Sequence, residues 1–377
     1  MQYKWIVLSN TTLGTLMASL DTNIVLIALP TISRELRATS FFDLLWVLLG
    51  YQLVNGSLLV NFGRLSDMFG RVRLYTFGFA LFTAASALCS LSQTGEQLIA
   101  FRLLQGVGSA FLFSNSGAII TDAFPENERG KALGINQVSI VIGTLLGLVL
   151  GGVLTSVAGW QSIFYVNIPI GIFATIWSHY KLKELAEIRR GQKIDVIGNV
   201  TFAGGLATIL VAITLDAVSL LQLDQFVLLF GGGLALLAAF VFTERRVKEP
   251  MLDLSHFRIR LFTAGTIASL LNSLARGAVT LVLTFYLQGP SMGLDALSAA
   301  VFLIPISVAI VLFGPLSGYL SDKHGPRFFA TSGLIVSTLG FLLLAAIGRT
   351  SFHHQPEAQH PKSSAIHKLP ADYPIFG

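Results

Sequence analysis

The sequence reads as an all-helical protein that crosses a membrane many times, and three observations carry that reading. Of 377 residues, 53% are apolar and 12% charged, with a mean hydropathy of +0.71. Soluble domains are roughly 25% charged, so a water-soluble globule is excluded. Apolar runs of about 20 residues, the length of one helical crossing, recur along the whole chain. Between them the basic residues gather in alternate loops.

The spans follow in order, eleven in all. The first, 5–29, follows Lys4 and ends before Pro30. Its length, its Asp21 and the lack of a small-residue cleavage site set it apart from a signal peptide. The second, 44–62, runs into the loop that starts at Gly63. The third, 72–91, holds Cys89, the lone cysteine, which rules out an intrachain disulfide and zinc-finger spacing. The fourth, 98–121, carries Arg102 near its start. The fifth, 132–158, has glycine at every fourth position, and the sixth is 163–182. The seventh and eighth, 196–215 and 225–242, are flanked by basic clusters. The ninth, 261–288, contains Arg276; the tenth and eleventh are 297–320 and 328–348. The 36 glycines suit helices that pack closely in lipid. After Gly348 the composition breaks. Residues 349–377 hold four of the seven histidines and four prolines, so no run there can cross a bilayer. A polar, disordered tail is expected.

Loop charge fixes the orientation. With the N-terminus in the cytoplasm, the inner segments hold 18 of the 25 basic residues and the outer loops only Arg34 and Arg37. That is the positive-inside bias of a multi-pass protein of the cell membrane. The net charge of +5 lies in short loops and gives no reason to expect nucleic-acid binding.

Two of the inner loops repeat. Gly63-Arg64-Leu65-Ser66-Asp67-Met68-Phe69-Gly70-Arg71 follows the second span. Gly318-Tyr319-Leu320-Ser321-Asp322-Lys323-His324-Gly325-Pro326-Arg327 follows the tenth, 255 residues on. Gly63, Leu65, Ser66, Asp67, Gly70 and their counterparts Gly318, Leu320, Ser321, Asp322, Gly325 keep register. Glycines allow close approach and tight turns. An acid near a helix start is favoured by the dipole, and Arg71 can reach that acid or the other half. Such a cluster can hold the inner side shut. The plain alternative is a basic loop that only sets orientation. Duplication points to a transporter built from repeated halves.

The loop Gly63-x-Leu65-x-Asp67-x-x-Gly70-Arg71 resembles the signature loop of the major facilitator superfamily. Further motifs resemble its fourteen-helix drug:proton antiporters over roughly residues 5 to 348. Leu20-Asp21-Thr22-Asn23 through Leu29-Pro30 is similar to the first-helix motif. Arg102-Leu103-Leu104-Gln105-Gly106-Val107-Gly108 is similar to the fourth-helix motif. Gly143, Gly147, Gly151 and Gly152 match the fifth-helix antiporter motif, and Trp160 through Gly171 the start of the sixth helix. The second loop copy follows span ten rather than span eight, so two helices stand inserted between the halves, and twelve becomes fourteen.

The resemblance implies a major-facilitator-type helical bundle with about eleven of fourteen helices present. Residues 1–182 would form a six-helix bundle and 183–259 the two inserted helices with their linkers. Residues 260–348 would be the first three helices of the second bundle, and 349–377 the tail. A shifted reading frame or a truncation would account for the missing helices. Leu148 stands where the family's fifth-helix motif carries proline.

It also implies an exporter of amphipathic compounds that exchanges them for protons by alternating access. Asp21 would bind and release the proton, with Arg102 tuning it from a helix that adjoins across the central cavity; a static pair joining two helices is the alternative. The glycines 143, 147 and 151 would control leakage at the contact between the halves. Gln105 and Asn136 offer amide contacts to a substrate or serve as helix glue. Arg276 would face an anionic substrate group or a polar cavity. Rival readings are a transporter of another solute and a non-transporting fragment. No catalytic set, cofactor motif or phosphate-cradling loop is present in the sequence, so an enzyme or ATP-driven pump is not expected. His353, His354 and His360 are not read as a metal site.

Overall fold

The chain, described here by a computed structural model over residues 2–36, 40–186, 195–217, 220–247, 250, 252, 254–288, 292 and 296–353, is built from helices, with no β-strand among those residues. In order they are α1 (Tyr3–Glu35), α2 (Phe41–Phe69), α3 (Arg71–Ser90), α4 (Gly95–Ala123), α5 (Arg129–Ala158), α6 (Ser162–Tyr165), α7 (Asn167–Lys181), α8 (Val196–Ala217), α9 (Leu223–Glu244), α10 (Arg260–Gln288), α11 (Ala296–His324) and α12 (Pro326–His353).

Helices start and stop where the sequence supplies caps and turns. Ser40 Oγ accepts from the Asp43 amide at 3.1 Å, while the Asp43 carboxylate accepts from the Ser40 amide at 2.7 Å. This capping box opens α2. Thr94 accepts from the Gln97 amide at 3.3 Å and opens α4. Gly70 and Gly325, the matched glycines of the two loop copies, turn the chain at φ +105° and +87°. Both angles lie in the left-handed region where only glycine is unstrained.

Each expected span falls on a long helix, with three differences. Pro30 does not end α1, which continues to Glu35. The sixth span is broken at Val166 into α6 and α7. Pro169 explains the break, since it cannot donate to the Tyr165 carbonyl and its ring crowds that oxygen. Helix α12, which carries the eleventh expected span, runs to His353, past that span's expected end. The remainder of the expected tail, 354–377, lies outside the described residues. Among the described residues, seven helices, α1–α5, α8 and α9, are long and apolar enough to cross a membrane. At 15 residues α7 is about 22 Å long, short of a ~30 Å hydrocarbon core.

The core lies around α1. Its C-terminal half packs Leu20, Ile24, Val25 and Ala28 against Leu98, Trp160, Ile163 and Phe164. Its N-terminal half packs Val7, Leu8 and Met17 against Tyr75, Phe79, Ile120 and Phe124. Helix α4 lies between α2 and α3, and α7 lies on α3. Helices α8 and α9 form a pair through Gly205 and Gly233. A Cβ on either would stand about 3 Å from the other's carbonyl oxygen. The pair leans on α2 through α8, and α11 lies along α5.

Candidate functional site

Two polar clusters and one glycine face hold most of the residues that the sequence singles out. The first cluster is buried around the middle of α1. Asp21 on α1 and Arg102 on α4 meet at 2.5 Å, both with no exposed surface. Asp21 Oδ1 also accepts from Gln105 Nε2 at 2.9 Å and from Asn167 Nδ2 at 2.7 Å. Arg102 donates through Nε to the Val47 carbonyl at 3.0 Å and through Nη1 to Gln105 Oε1 at 2.6 Å. Its guanidinium lies 4.3 Å from the Tyr51 ring centre, and Tyr51 Oη bonds Ser109 Oγ at 2.7 Å. Ser86 Oγ accepts from Gln105 Nε2 at 2.8 Å. Five helices thus share one buried network: α4 and α7 reach the α1 carboxylate, and α2 and α3 join through Arg102 and Gln105. Both charges are fully buried, so the pair does not line an open cavity in this arrangement.

Asp21 and Arg102 are the charges that the sequence predicts to meet. Gln105 is their third member, its amide spent on protein partners. Tyr51, Ser86, Ser109 and Asn167 were not assigned a role from the sequence. Hydroxyls and single amides are frequent in membrane helices as packing groups. Nothing local marks Asn167 as a partner of a residue 146 positions away.

Asn136 sits elsewhere. Its Oδ1 accepts from Thr15 Oγ1 at 2.9 Å and its Nδ2 donates to Ser116 Oγ at 3.2 Å, joining α1, α4 and α5. Like Gln105, this amide is turned into helix contacts. Arg276 lies on α10, and its side chain is outside the described residues.

The second cluster is at the basic end of the bundle, where α1 begins. Arg71 bonds Asp67 at 2.8 Å, one turn back, and bonds both carboxylate oxygens of Asp122 on α4 at 2.8 Å. Arg71 therefore reaches the acid of its own loop and bridges it to α4. The Glu184 carboxylate accepts from the Val72 amide at 2.9 Å beside Gly70. The second loop copy behaves differently. Asp322 accepts from the Gly130 and Lys131 amides, each at 3.0 Å. It caps the start of α5, where unpaired amides and the helix dipole favour an anion. The repeated acid thus ties α11 to α5. Gly318 abuts the Gly130 backbone, and a Cβ on Gly134 would lie 3.0 Å from the Gly314 oxygen. Gly63 departs from its expected role, since a Cβ there would meet nothing within 4 Å. The Arg327 side chain is exposed.

The glycine face also needs correcting. A Cβ on Gly143 or Gly147 would lie 2.6 Å from the Leu16 or Leu20 carbonyl oxygen, and one on Gly151 2.9 Å from that of Ile24. The face packs α5 on α1. The contact between α5 and α11 uses Gly130, Gly134, Gly314 and Gly318 instead. Spacing reveals a face but not its neighbour. Gly152 is exposed, and a Cβ there would meet nothing within 4 Å. Leu148 has its side chain outside the described residues.

A family model described as Major Facilitator Superfamily matches residues 11–354. The chain belongs to the Major Facilitator Superfamily. Members are multi-pass membrane transporters that move small molecules. The riboflavin transporter RibZ of Clostridioides difficile (strain 630) is 35% identical over 351 residues, 92% of this chain and 75% of that protein. Multidrug resistance protein 3 of Bacillus subtilis (strain 168) is 32% identical over 334 residues, 88% of this chain and 64% of its own length. The tetracenomycin C resistance and export protein of Streptomyces glaucescens is 30% identical over 349 residues, 91% and 62% of the two chains. The solved structure of the proton:xylose symporter XylE bound to 6-bromo-6-deoxy-D-glucose covers 85% of this chain and 70% of its own at TM-score 0.54. At 17% identity that likeness shows the superfamily fold alone.

Proposed function

We propose that this superfamily member exports amphipathic small molecules in exchange for protons by alternating access. It would do so as part of a fourteen-helix assembly in the cell membrane, with the basic end of the bundle in the cytoplasm. The observation that carries this reading is the fully buried Asp21–Arg102 pair. A charge at the bilayer centre costs ~2.5–3.5 kcal/mol. An ion pair whose members also accept or donate four further hydrogen bonds offsets that cost. A carboxylate held so is a proton site that can open to one side and then the other. The drug-resistance names of two relatives support an amphipathic cargo.

Asp322 on the first turn of α5 and Arg71 between Asp67 and Asp122 would be the gate at the cytoplasmic end. In the described arrangement that end is held together by the α11–α5 contact. Losing those bonds would let the halves part there. Residues 1–182, 183–259 and 260–348 would be the first bundle, the insertion and the start of the second bundle. Gln105 and Asn136 would meet substrate only after the helices around them separate, and Arg276 would meet an anionic group of the substrate.

A second cargo has its own observation: the riboflavin transporter shares 35% identity over 92% of this chain. Vesicles containing the protein, loaded with a fluorescent cationic dye and given a pH jump, test both. Dye export driven by the pH step and untouched by excess riboflavin supports the first reading. Riboflavin movement without dye export supports the second, and neither movement rejects both.

A further inference from the structure

We propose that Asn167 reads the protonation state of Asp21. Its amide donates to the carboxylate in the described state and turns over to accept from the protonated acid. The inference rests on the proposed proton role of Asp21 and extends it to α7.

The acceptor count around Asp21 carries it. Three side chains touch the carboxylate, and all three donate: Arg102 Nη1 to Oδ2, Gln105 Nε2 and Asn167 Nδ2 to Oδ1. Protonation adds a hydrogen that must find an acceptor in a site sealed from water. Guanidinium has none. Gln105 Oε1 already receives Arg102 Nη1 at 2.6 Å. Asn167 Oδ1 is buried and receives no hydrogen bond. A buried carbonyl left without a donor costs free energy, so this oxygen is a vacancy waiting for one. Rotation about the last torsion of asparagine, which is soft and roughly two-fold, exchanges Nδ2 for Oδ1. The protonated acid then donates where the ionised acid had accepted.

Asn167 is the first residue of α7, directly after the break at Val166. A change in this bond therefore acts on the joint between α6 and α7. The other titratable groups around Asp21 are Arg102 from α4, Tyr51 from α2 and Cys89 from α3, whose Sγ lies 3.8 Å from Gln105 Oε1. Helix α5 presents its glycine face to α1 at this level. Asn167 is thus a positioning residue that does not itself titrate.

Infrared difference spectroscopy of the full chain in lipid, stepped through pH, tests this. The protonated carboxyl band of Asp21 is identified by its loss in Asp21→Asn. In Asn167→Ala that band should move to higher wavenumber, as the acid loses its acceptor. Proton-driven exchange should fall roughly tenfold, the scale of one buried bond to a charged group, with KM for the dye unchanged. Asn167→Asp keeps the shape and safeguards the test if the alanine variant does not fold. Two coupled carboxyl steps should replace one. An Asp21 band unmoved in Asn167→Ala, or a single unchanged step in Asn167→Asp, overturns the proposal. A band that survives in Asp21→Asn instead removes the proton role of Asp21 and leaves Asn167 a plain helix contact.

Discussion

Asp21 and Arg102 are the residues whose chemistry was most legible in the sequence, because a charge inside an apolar run demands a partner. What the sequence could not supply was the rest of the shell. Asn167 and Ser86 look like ordinary polar residues until five helices converge. The geometry separates the two charges by the damage each removal should do. Arg102→Ala strips the partner from a carboxylate with no solvent contact. Breaking a buried pair in this way costs ~3–5 kcal/mol, so a large drop in the thermal midpoint in detergent is expected. Arg102→Lys should rescue little. One ammonium cannot span Val47 O, Asp21 and Gln105 in the planar fork that the guanidinium uses. Asp21→Asn keeps the shape and an acceptor for Arg102 but leaves that guanidinium without its counter-charge, so the thermal midpoint should also fall, and the loss of proton-driven transport is read on equal amounts of folded protein.

At the scale of the element, glycines decide which helices can touch. Gly143 and Gly147 put the α1 carbonyls where a Cβ would have to stand, and Gly152 faces open space. Gly147→Val should therefore destabilise the chain, and Gly152→Ala should be neutral in the same melting assay. The same contrast holds in the repeated loop. Gly70→Ala must take a left-handed turn and should cost roughly 1–2 kcal/mol, whereas Gly63→Ala meets nothing. The repeat was visible as sequence, yet its two copies do different work. Asp67 stays beside Arg71, whereas Asp322 crosses to α5. Register alone could not show this, because the partner of Asp322 is a helix start rather than a matching side chain. Asp322→Ala removes both bonds to the α5 amides. Cysteines placed at Gly134 and Gly314 should then crosslink more slowly, which a crosslinking time course would record.

For the whole molecule, composition settled the class and loop charge set the expected orientation. Helix order followed the apolar runs closely, since in lipid every backbone group must be bonded within its own helix. The break at Val166 was missed because hydropathy averages across a proline that alters backbone bonding without interrupting the apolar run. It is this break that brings Asn167 to Asp21. The central claim, that this buried carboxylate carries the exchanged proton, concerns all five helices around it. It is tested most directly by proton release on dye binding, measured with a pH indicator in unbuffered detergent solution. Release by the unaltered chain and none by Asp21→Asn is the expected result. Equal release from both, with dye bound by both, contradicts the claim.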